Sequence, residues 1–293
     1  MTRVLVIGAA GQVGRQLIDE LTRRPGPLDV VAASRTHADP ANRVDLGLPA
    51  TVDRLVDAVR PDHVFLVAAA TNVGWCEAHP AESWTINVLG VEAVARAAHR
   101  AGATLTFIST DYVFDGSCGP YGEGDHTNPI NVYGAHKLAA EAVVVGEDPG
   151  NLVVRTCQVF GDDQRRANFV LRVVDALGEG ETVEAAGDLF GTPTFAPDLA
   201  RALAELTLAR AGGVWHFAGD VFLSRYELAR RVAAAFGCDG SSIVGVAADQ
   251  MHDPVNRPRR AGLRNDRLAA ERYAWTTPLE DALAALAVRD RLP

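Results

Sequence analysis

Thr2-Arg3-Val4-Leu5-Val6-Ile7-Gly8-Ala9-Ala10-Gly11-Gln12-Val13-Gly14 is the stretch that decides the fold of this chain. Four consecutive apolar residues, 4–7, predict a strand buried on both faces, and it runs directly into a glycine turn that opens a helix. In this spacing Gly8 permits the tight turn, Gly11 lets backbone approach a pyrophosphate, and Gly14 lets the helix pack close to the sheet. The first N–H groups of that helix, around Gln12 and Val13, then face an anion along a favourable dipole. A dinucleotide is the expected ligand of this turn.

Outward from it, apolar runs rich in β-branched residues recur at 30–33, 64–67, 105–108 and 152–154. Helical patterns at 13–22, 52–59, 84–101 and 132–145 separate them. This alternation predicts the α/β class, a Rossmann-type doubly wound parallel sheet covered on both faces. After Gly161 the rhythm breaks. A helix at 169–177, a Gly/Glu turn at 178–181, a loop at 187–194, helices at 198–209 and 224–236 and a short strand at 214–217 follow. Residues 1–165 read as the nucleotide-binding domain, with a return segment near 196–220. Residues 166–293 read mostly as a smaller C-terminal α/β lobe that binds substrate.

Composition narrows the function classes. With 293 residues, 48% hydrophobic and 22% charged, the chain can bury a large core without staples. Cys76, Cys118, Cys157 and Cys238 are too far apart for a CxxC pair or a zinc knuckle, so reduced thiols and no metal are expected. A net charge of −9 without a run of basic residues argues against nucleic acid. The longest stretch free of charge and histidine, 64–76, is broken by Thr71, Asn72 and Gly74 and is too short for a membrane span. No small-residue cleavage site lies behind the first strand, so a mature, cytoplasmic protein is the expectation.

Cofactor preference is read at the end of the second strand, where a carboxylate would hold an adenine-ribose 2′-hydroxyl. The chain has Ser34-Arg35 there, a hydroxyl and a guanidinium that suit a 2′-phosphate, so NADPH is expected ahead of NADH. Asp45-Leu46 matches an acidic and apolar pair that holds adenine. Further on, Tyr133-Gly134-Ala135-His136-Lys137 places a phenol and an ammonium four residues apart, on one helical face. A cation beside a tyrosine stabilises phenolate, which predicts a phenol drawn toward the working pH range. Lys137 is the sole lysine; the other 27 basic residues are arginine. Thr110, at the end of the fourth apolar run, is placed to hydrogen-bond a substrate carbonyl, with Ser109 facing the other way.

Together with Asn87-Val88, Asn131-Val132, Arg155-Thr156, Gly191-Thr192-Pro193-Thr194 and Arg257-Pro258, these pieces resemble the extended short-chain dehydrogenase/reductase superfamily. Within it they are most similar to the dTDP-4-dehydrorhamnose reductases. The resemblance implies Thr110, Tyr133 and Lys137 as the catalytic set. It implies Ala68, Ala69, Ala70, Asn87 and Cys157 on the cofactor side, and Val73, Asp111, Tyr112, Gln158, Asn168, Thr192 and Arg257 on the substrate side. A related 4,6-dehydratase would carry Asp-Glu after the threonine; Asp111-Tyr112 disfavours elimination. The implied activity is NADPH-dependent reduction of the C4 ketone of a nucleotide-linked 4-keto-6-deoxyhexose.

Two departures leave alternatives open. Gln158 stands where the resembling reductases carry a tryptophan against the hexose, and Arg257-Pro258-Arg259-Arg260-Ala261 replaces Arg-Pro-x-Asn-Ser. A reductase of a different nucleotide sugar fits these changes. So does a non-catalytic NADP-binding subunit resembling the regulatory beta subunit of methionine adenosyltransferase. Trp75 borders either the sugar pocket or the core, and the oligomeric state is left open, a homodimer included.

Overall fold

The computed structural model describes residues 1–251, 255–271 and 275–290. Its first half follows the alternation of the sequence: β1 (Thr2–Ile7), α1 (Gln12–Arg23), β2 (Leu28–Ala33), α2 (Pro49–Val59), β3 (His63–Leu66), α3 (Val73–Ala78), α4 (Pro80–Trp84), α5 (Gly90–Ala101), β4 (Thr104–Thr110), α6 (Val132–Glu147) and β5 (Leu152–Thr156). The second half adds β6 (Val159–Phe160), α7 (Phe169–Gly178), β7 (Val183–Ala186), β8 (Phe190–Gly191), β9 (Thr194–Phe195), α8 (Ala196–Leu208), β10 (Gly213–His216), β11 (Leu223–Ser224), α9 (Arg225–Phe236), β12 (Ile243–Val246), α10 (Asp266–Ala270) and α11 (Leu279–Asp290).

Six strands form one sheet in the order β10-β5-β4-β3-β1-β2, every pair parallel. Side chains alternate across it. Leu5 and Ile7 pack with Leu66, Phe107, Leu55 and Val94 on one face; Val4 and Val6 pack with Phe65, Val154, Leu17 and Leu199 on the other. Each such side chain contributes roughly 1.5–3 kcal/mol by leaving water. Strand order reverses at β1, which has β2 on one side and β3 on the other, so the crevice for a nucleotide lies beyond the carboxyl ends of β1 and β3.

Residues 196–216 return to this sheet. Helix α8 lies against α1, and β10 pairs with β5 in the register Gly213↔Leu152 to His216↔Arg155. The rest of the second half builds its own core, in which Leu171, Leu228, Val232, Leu283 and Leu286 cover the parallel pair β7 and β12.

One predicted helix is interrupted. Periodicity suggests a continuous helix over 84–101, but residues Thr85–Leu89 form a π turn between α4 and α5. A π turn inserts an extra residue and redirects the side chains around it, a device common at functional sites. Here it buries Asn87. Gly90, next along, allows the helix to rest on Leu46, whose carbonyl oxygen would lie 2.5 Å from any Cβ at that position.

Candidate active site

A cleft of about 2020 Å³ runs along the carboxyl ends of the main sheet and is closed on its other side by α7, α9 and the loop around 255–261. The glycine turn forms its floor. Gly8 takes φ +101°, and a Cβ there would come within 2.7 Å of the Ala68 nitrogen; at Gly14 it would lie 2.2 Å from the Gly8 oxygen. Gly8 therefore belongs to the close approach of two loops and Gly14 to the packing of α1. Gly11 caps α1 with extended backbone and no side-chain bond, which leaves the first helical N–H groups for a ligand.

Gln12 adds a specific feature. Its Oε1 accepts a bond of 3.4 Å from Asn168 Nδ2, while its Nε2 is buried and meets no acceptor among the described residues. A buried donor of this kind costs free energy unless a ligand meets it. The turn thus fits the pyrophosphate of a dinucleotide, with the Gln12 amide and the helix N–H groups as donors.

At one end of the cleft Ser34, Arg35, Asp45 and Leu46 come together because the backbone folds back, Val44 N bonding to Ser34 O at 3.2 Å. Ser34 and Leu46 are buried and Arg35 is exposed. Ala68, Ala69 and Ala70 follow β3, and Asn87 fixes this loop through both halves of its amide: Oδ1 accepts from Ala70 N at 2.9 Å and Nδ2 donates to Ala70 O at 3.0 Å. Asn87 stands behind the cleft wall and holds its shape.

The reacting end lies at the tip of β4. Helix α6 starts at a tight place: Asn131 Oδ1 accepts from Gly134 N at 2.8 Å, and a Cβ at Gly134 would fall 2.1 Å from the Tyr112 oxygen. Only glycine lets the helix lie this close to the turn at 111–113. The cap places Tyr133 on the cleft wall beside Tyr112, ring centroids 6.1 Å apart at 76°. Lys137, one turn later, is buried. Its Nζ donates to Ile108 O at 2.6 Å and sits 3.8 Å from the centroid of the Phe107 ring. That slot takes a compact ammonium and not a planar guanidinium.

The electrostatics correct one expectation. The phenol of Tyr133 is not drawn toward neutrality: burial first, then the nearby Asp111, push it above the ordinary tyrosine value, with Thr110 drawing weakly the other way. Burial pulls Lys137 down to about 7, opposed by the Glu141 carboxylate one turn on. The reason is geometric, because the ammonium is directed at a backbone carbonyl and an aromatic face. The result is a tyrosine that holds its proton at neutral pH.

Thr110 Oγ1 donates to Asp111 Oδ1 at 3.1 Å and accepts from Tyr112 N at 3.2 Å, so its hydroxyl is held at the cleft edge. Asp111 Oδ2 accepts from Cys157 Sγ at 2.9 Å and from Gly262 N at 3.3 Å. Burial raises both the Asp111 carboxyl and the Cys157 thiol above their usual values.

Residues 1–289 match the family model described as the RmlD substrate binding domain. The chain belongs to this family. It is 34% identical over 286 residues to a dTDP-4-keto-6-deoxy-D-glucose reductase of Streptomyces niveus, covering 97% of this chain and 95% of that one. To a dTDP-4-dehydrorhamnose reductase of Mycobacterium tuberculosis it is 34% identical over 292 residues, covering 97% and 91%. The crystal structure of a dTDP-4-dehydrorhamnose reductase from Bacillus anthracis in complex with NADP superposes with a TM-score of 0.90 at 27% identity, covering 99% of this chain and 100% of that one.

Within this RmlD family member, most residues singled out by sequence line the cleft: Gly8, Gly11, Gln12, Val13, Ser34, Arg35, Asp45, Leu46, Ala68 to Ala70, Val73, Thr110, Asp111, Tyr112, Tyr133, Gln158, Asn168 and Arg257. Trp75 also borders it and stacks on His79 with centroids 5.1 Å apart. Cys157 and Thr192 are placed differently from the expectation. Both are buried behind the wall, the thiol spent on Asp111 and the Thr192 hydroxyl on Leu263 N at 3.0 Å, so they brace the loop instead of facing a ligand.

The added arginines of the 257–261 run have local duties. Arg259 pairs with Asp188 and Asp249, and Arg260 lies over the Phe190 and Phe222 rings. Ser109 does face away from the cleft centre, donating to Glu141. Two features escaped sequence reading. One is Arg225 on α9, a wall residue with no local motif. The other is the buried set Glu141, Arg155 and His216 from α6, β5 and β10.

Arg35 gives a direct check on cofactor choice. Arg35→Ala is expected to raise KM for NADPH about tenfold, the worth of a charge-assisted bond to phosphate, and to leave KM for NADH unchanged. Steady-state kinetics with both cofactors decide it, and an equal change for the two would remove Arg35 from 2′-phosphate recognition.

Proposed function

We infer that this protein is an NADPH-dependent reductase of the C4 ketone of a nucleotide-linked 4-keto-6-deoxyhexose. The observation that carries the reading is the convergence of Thr110 and Tyr133 on one cleft edge, with Lys137 directly behind and the glycine turn on the same floor. The names of the relatives, reductases of dTDP-linked 4-keto or 4-dehydro sugars, agree with it.

Bound NADPH supplies the hydride for the carbonyl carbon. The chain supplies the rest. Tyr133, kept protonated by its burial, holds the proton that the carbonyl oxygen takes as it becomes an alcohol, and the phenolate left behind is reprotonated from solvent. Thr110 donates a second hydrogen bond to the same oxygen once its single hydroxyl proton turns from Asp111 Oδ1 to the substrate. Lys137, whose Nζ spends one donor on Ile108 O, would hold the cofactor ribose with the ammonium donors that remain. Asp111 is poorly placed as an elimination base, since its oxygens are taken by Thr110, Cys157 and Gly262.

The test is oxidation of NADPH against a panel of enzymatically generated 4-keto-6-deoxyhexose nucleotides. Turnover with a dTDP-linked ketosugar is expected. Tight NADPH binding without oxidation by any member would overturn the reading in favour of a regulatory subunit.

Lys137 fixes the pH profile. If its ammonium is required, kcat/KM for NADPH falls as pH rises through about 7, where the buried lysine loses its proton, and is constant on the acid side of that step. A profile flat to pH near the ordinary lysine value of 10.5 would show that the neutral amine suffices.

A further inference from the structure

Asp111 opens the short turn 111–113 at the tip of β4 and is only 2% exposed. Its two oxygens are used unequally. Oδ2 meets two donors, Cys157 Sγ at 2.9 Å from the segment between β5 and β6 and Gly262 N at 3.3 Å from just beyond the loop that closes the cleft. Among the described residues, Oδ1 meets the Thr110 hydroxyl alone, at 3.1 Å. No cation there forms an ion pair with this carboxyl. Arg225 on α9 acts on it from beyond ion-pairing distance, and the other titratable groups facing it, Tyr112, Tyr133 and Cys157, bring no positive charge.

An ionised Asp111 would hold a buried charge on Oδ1 with a single hydrogen bond, a costly arrangement. Burial raises this carboxyl above its ordinary value, against the pull of its hydrogen bonds and of Arg225. The count at Thr110 points the same way. A threonine hydroxyl has one proton to give and two lone pairs to receive with, and one of these takes Tyr112 N at 3.2 Å. With Asp111 ionised, the one proton goes to Oδ1 and none is left for a substrate carbonyl. With the proton on Oδ1, the same 3.1 Å contact runs the other way, the second lone pair is filled, and the Thr110 proton is free for the cleft that Thr110 lines. A carboxylic acid kept neutral by its site can act as a donor in this manner.

We propose that Asp111 is a positioning residue that works as the neutral acid, donating from Oδ1 to Thr110 Oγ1 so that Thr110 presents its one proton to the ketone oxygen. The acid proton is never transferred. It stays on Asp111 through turnover, and Tyr133 supplies the proton that the alcohol keeps. Cys157 and Gly262 set the direction by occupying Oδ2. The proposal rests on the reductase reading for its carbonyl, but the charge state of Asp111 is read without turnover, so the two fail separately.

Infrared difference spectra of the full-length chain saturated with NADPH at neutral pH, wild type minus Asp111→Asn, should carry the C=O stretch of a protonated carboxyl. Carboxylate stretches in its place overturn the proposal, whatever the protein reduces. Activity supplies the second arm. Asp111→Ala should lower kcat for the ketosugar about tenfold to hundredfold, approaching the cost of a lost oxyanion donor. Asp111→Asn should restore kcat to within about threefold of wild type, because the amide gives Thr110 an N–H and accepts from Cys157 and Gly262 through its oxygen. NADPH affinity unchanged in both variants reports an intact fold. In a Thr110→Val background the Ala and Asn variants should be equally slow. An Asn variant as slow as the Ala variant in the presence of Thr110 means that the site needs the negative charge, and overturns the proposal. So does an Asn-to-Ala difference that persists in Thr110→Val, which would make Asp111 a structural residue. Should no ketosugar be reduced, a protonated-carboxyl band keeps the proton on Asp111 and removes only the reductase reading.

Discussion

Tyr133→Phe is expected to lower kcat for the ketosugar by about 10²- to 10⁴-fold, the usual contribution of a positioned proton donor, with NADPH affinity unchanged. The substitution removes one oxygen from a ring that packs edge-on against Tyr112 and is nearly buried, so neither the cleft wall nor the glycine turn need move. What disappears is the proton. A phenol held above its ordinary pKa stays protonated throughout the neutral range, and it acts on an oxygen that becomes strongly basic as hydride arrives. The loss should therefore fall on kcat and on kcat/KM for the ketosugar alike, because the bond is made mainly in the transition state. Thr110 and the cleft still bind and orient the carbonyl, which leaves residual turnover. Undiminished kcat in Tyr133→Phe would assign the proton to another group or to water and remove the central residue of the proposed reaction.

How far the sequence revealed this arrangement follows the range of the interactions involved. Strand β1, the glycine turn and the start of α1 are one contiguous stretch whose apolar run and glycines state their own geometry, and the structure places them accordingly. The Tyr133 to Lys137 spacing is equally local, since four residues is one helical turn. Periodicity could not reveal the π turn at Thr85–Leu89, because the apolar pattern continues across it. Its cause is tertiary: Asn87 bonds to Ala70, seventeen residues earlier. Arg225 was illegible for the same reason. Nothing around it in sequence marks a cleft residue; only the Ser224 cap on α9, the Phe169 ring and the return of 255–261 bring it to the cleft. The direction of the Tyr133 shift was missed because spacing gives proximity but not burial, and burial dominates here.

Arg155→Leu is expected to destabilise the fold by about 3–5 kcal/mol, the largest single stability effect predicted for this chain. Arg155 and Glu141 form a two-pronged pair, Nε to Oε1 at 2.9 Å and Nη2 to Oε2 at 2.6 Å, with side-chain exposures of 6% and 5%. Ser109 completes the Glu141 oxygens, and Arg155 Nη1 lies 3.4 Å from His216 Nε2. That histidine is kept neutral, its pKa pulled down to about 3 by burial and then by Arg155. The set ties β4, α6, β5 and β10 together under the reacting end, so removing the guanidinium strands a carboxylate among buried groups. In Glu141→Leu/Arg155→Leu both charges go at once, and most of the lost stability should return, as when buried ion pairs are replaced by apolar side chains. Urea unfolding of the two single variants and the double decides the matter; additive losses would mean that the pair is not coupled. The same carboxylate also supports the ammonium of Lys137 against burial. Glu141→Gln should consequently move the pH at which kcat/KM for NADPH declines below about 7, a displacement toward acid that loss of packing alone does not produce.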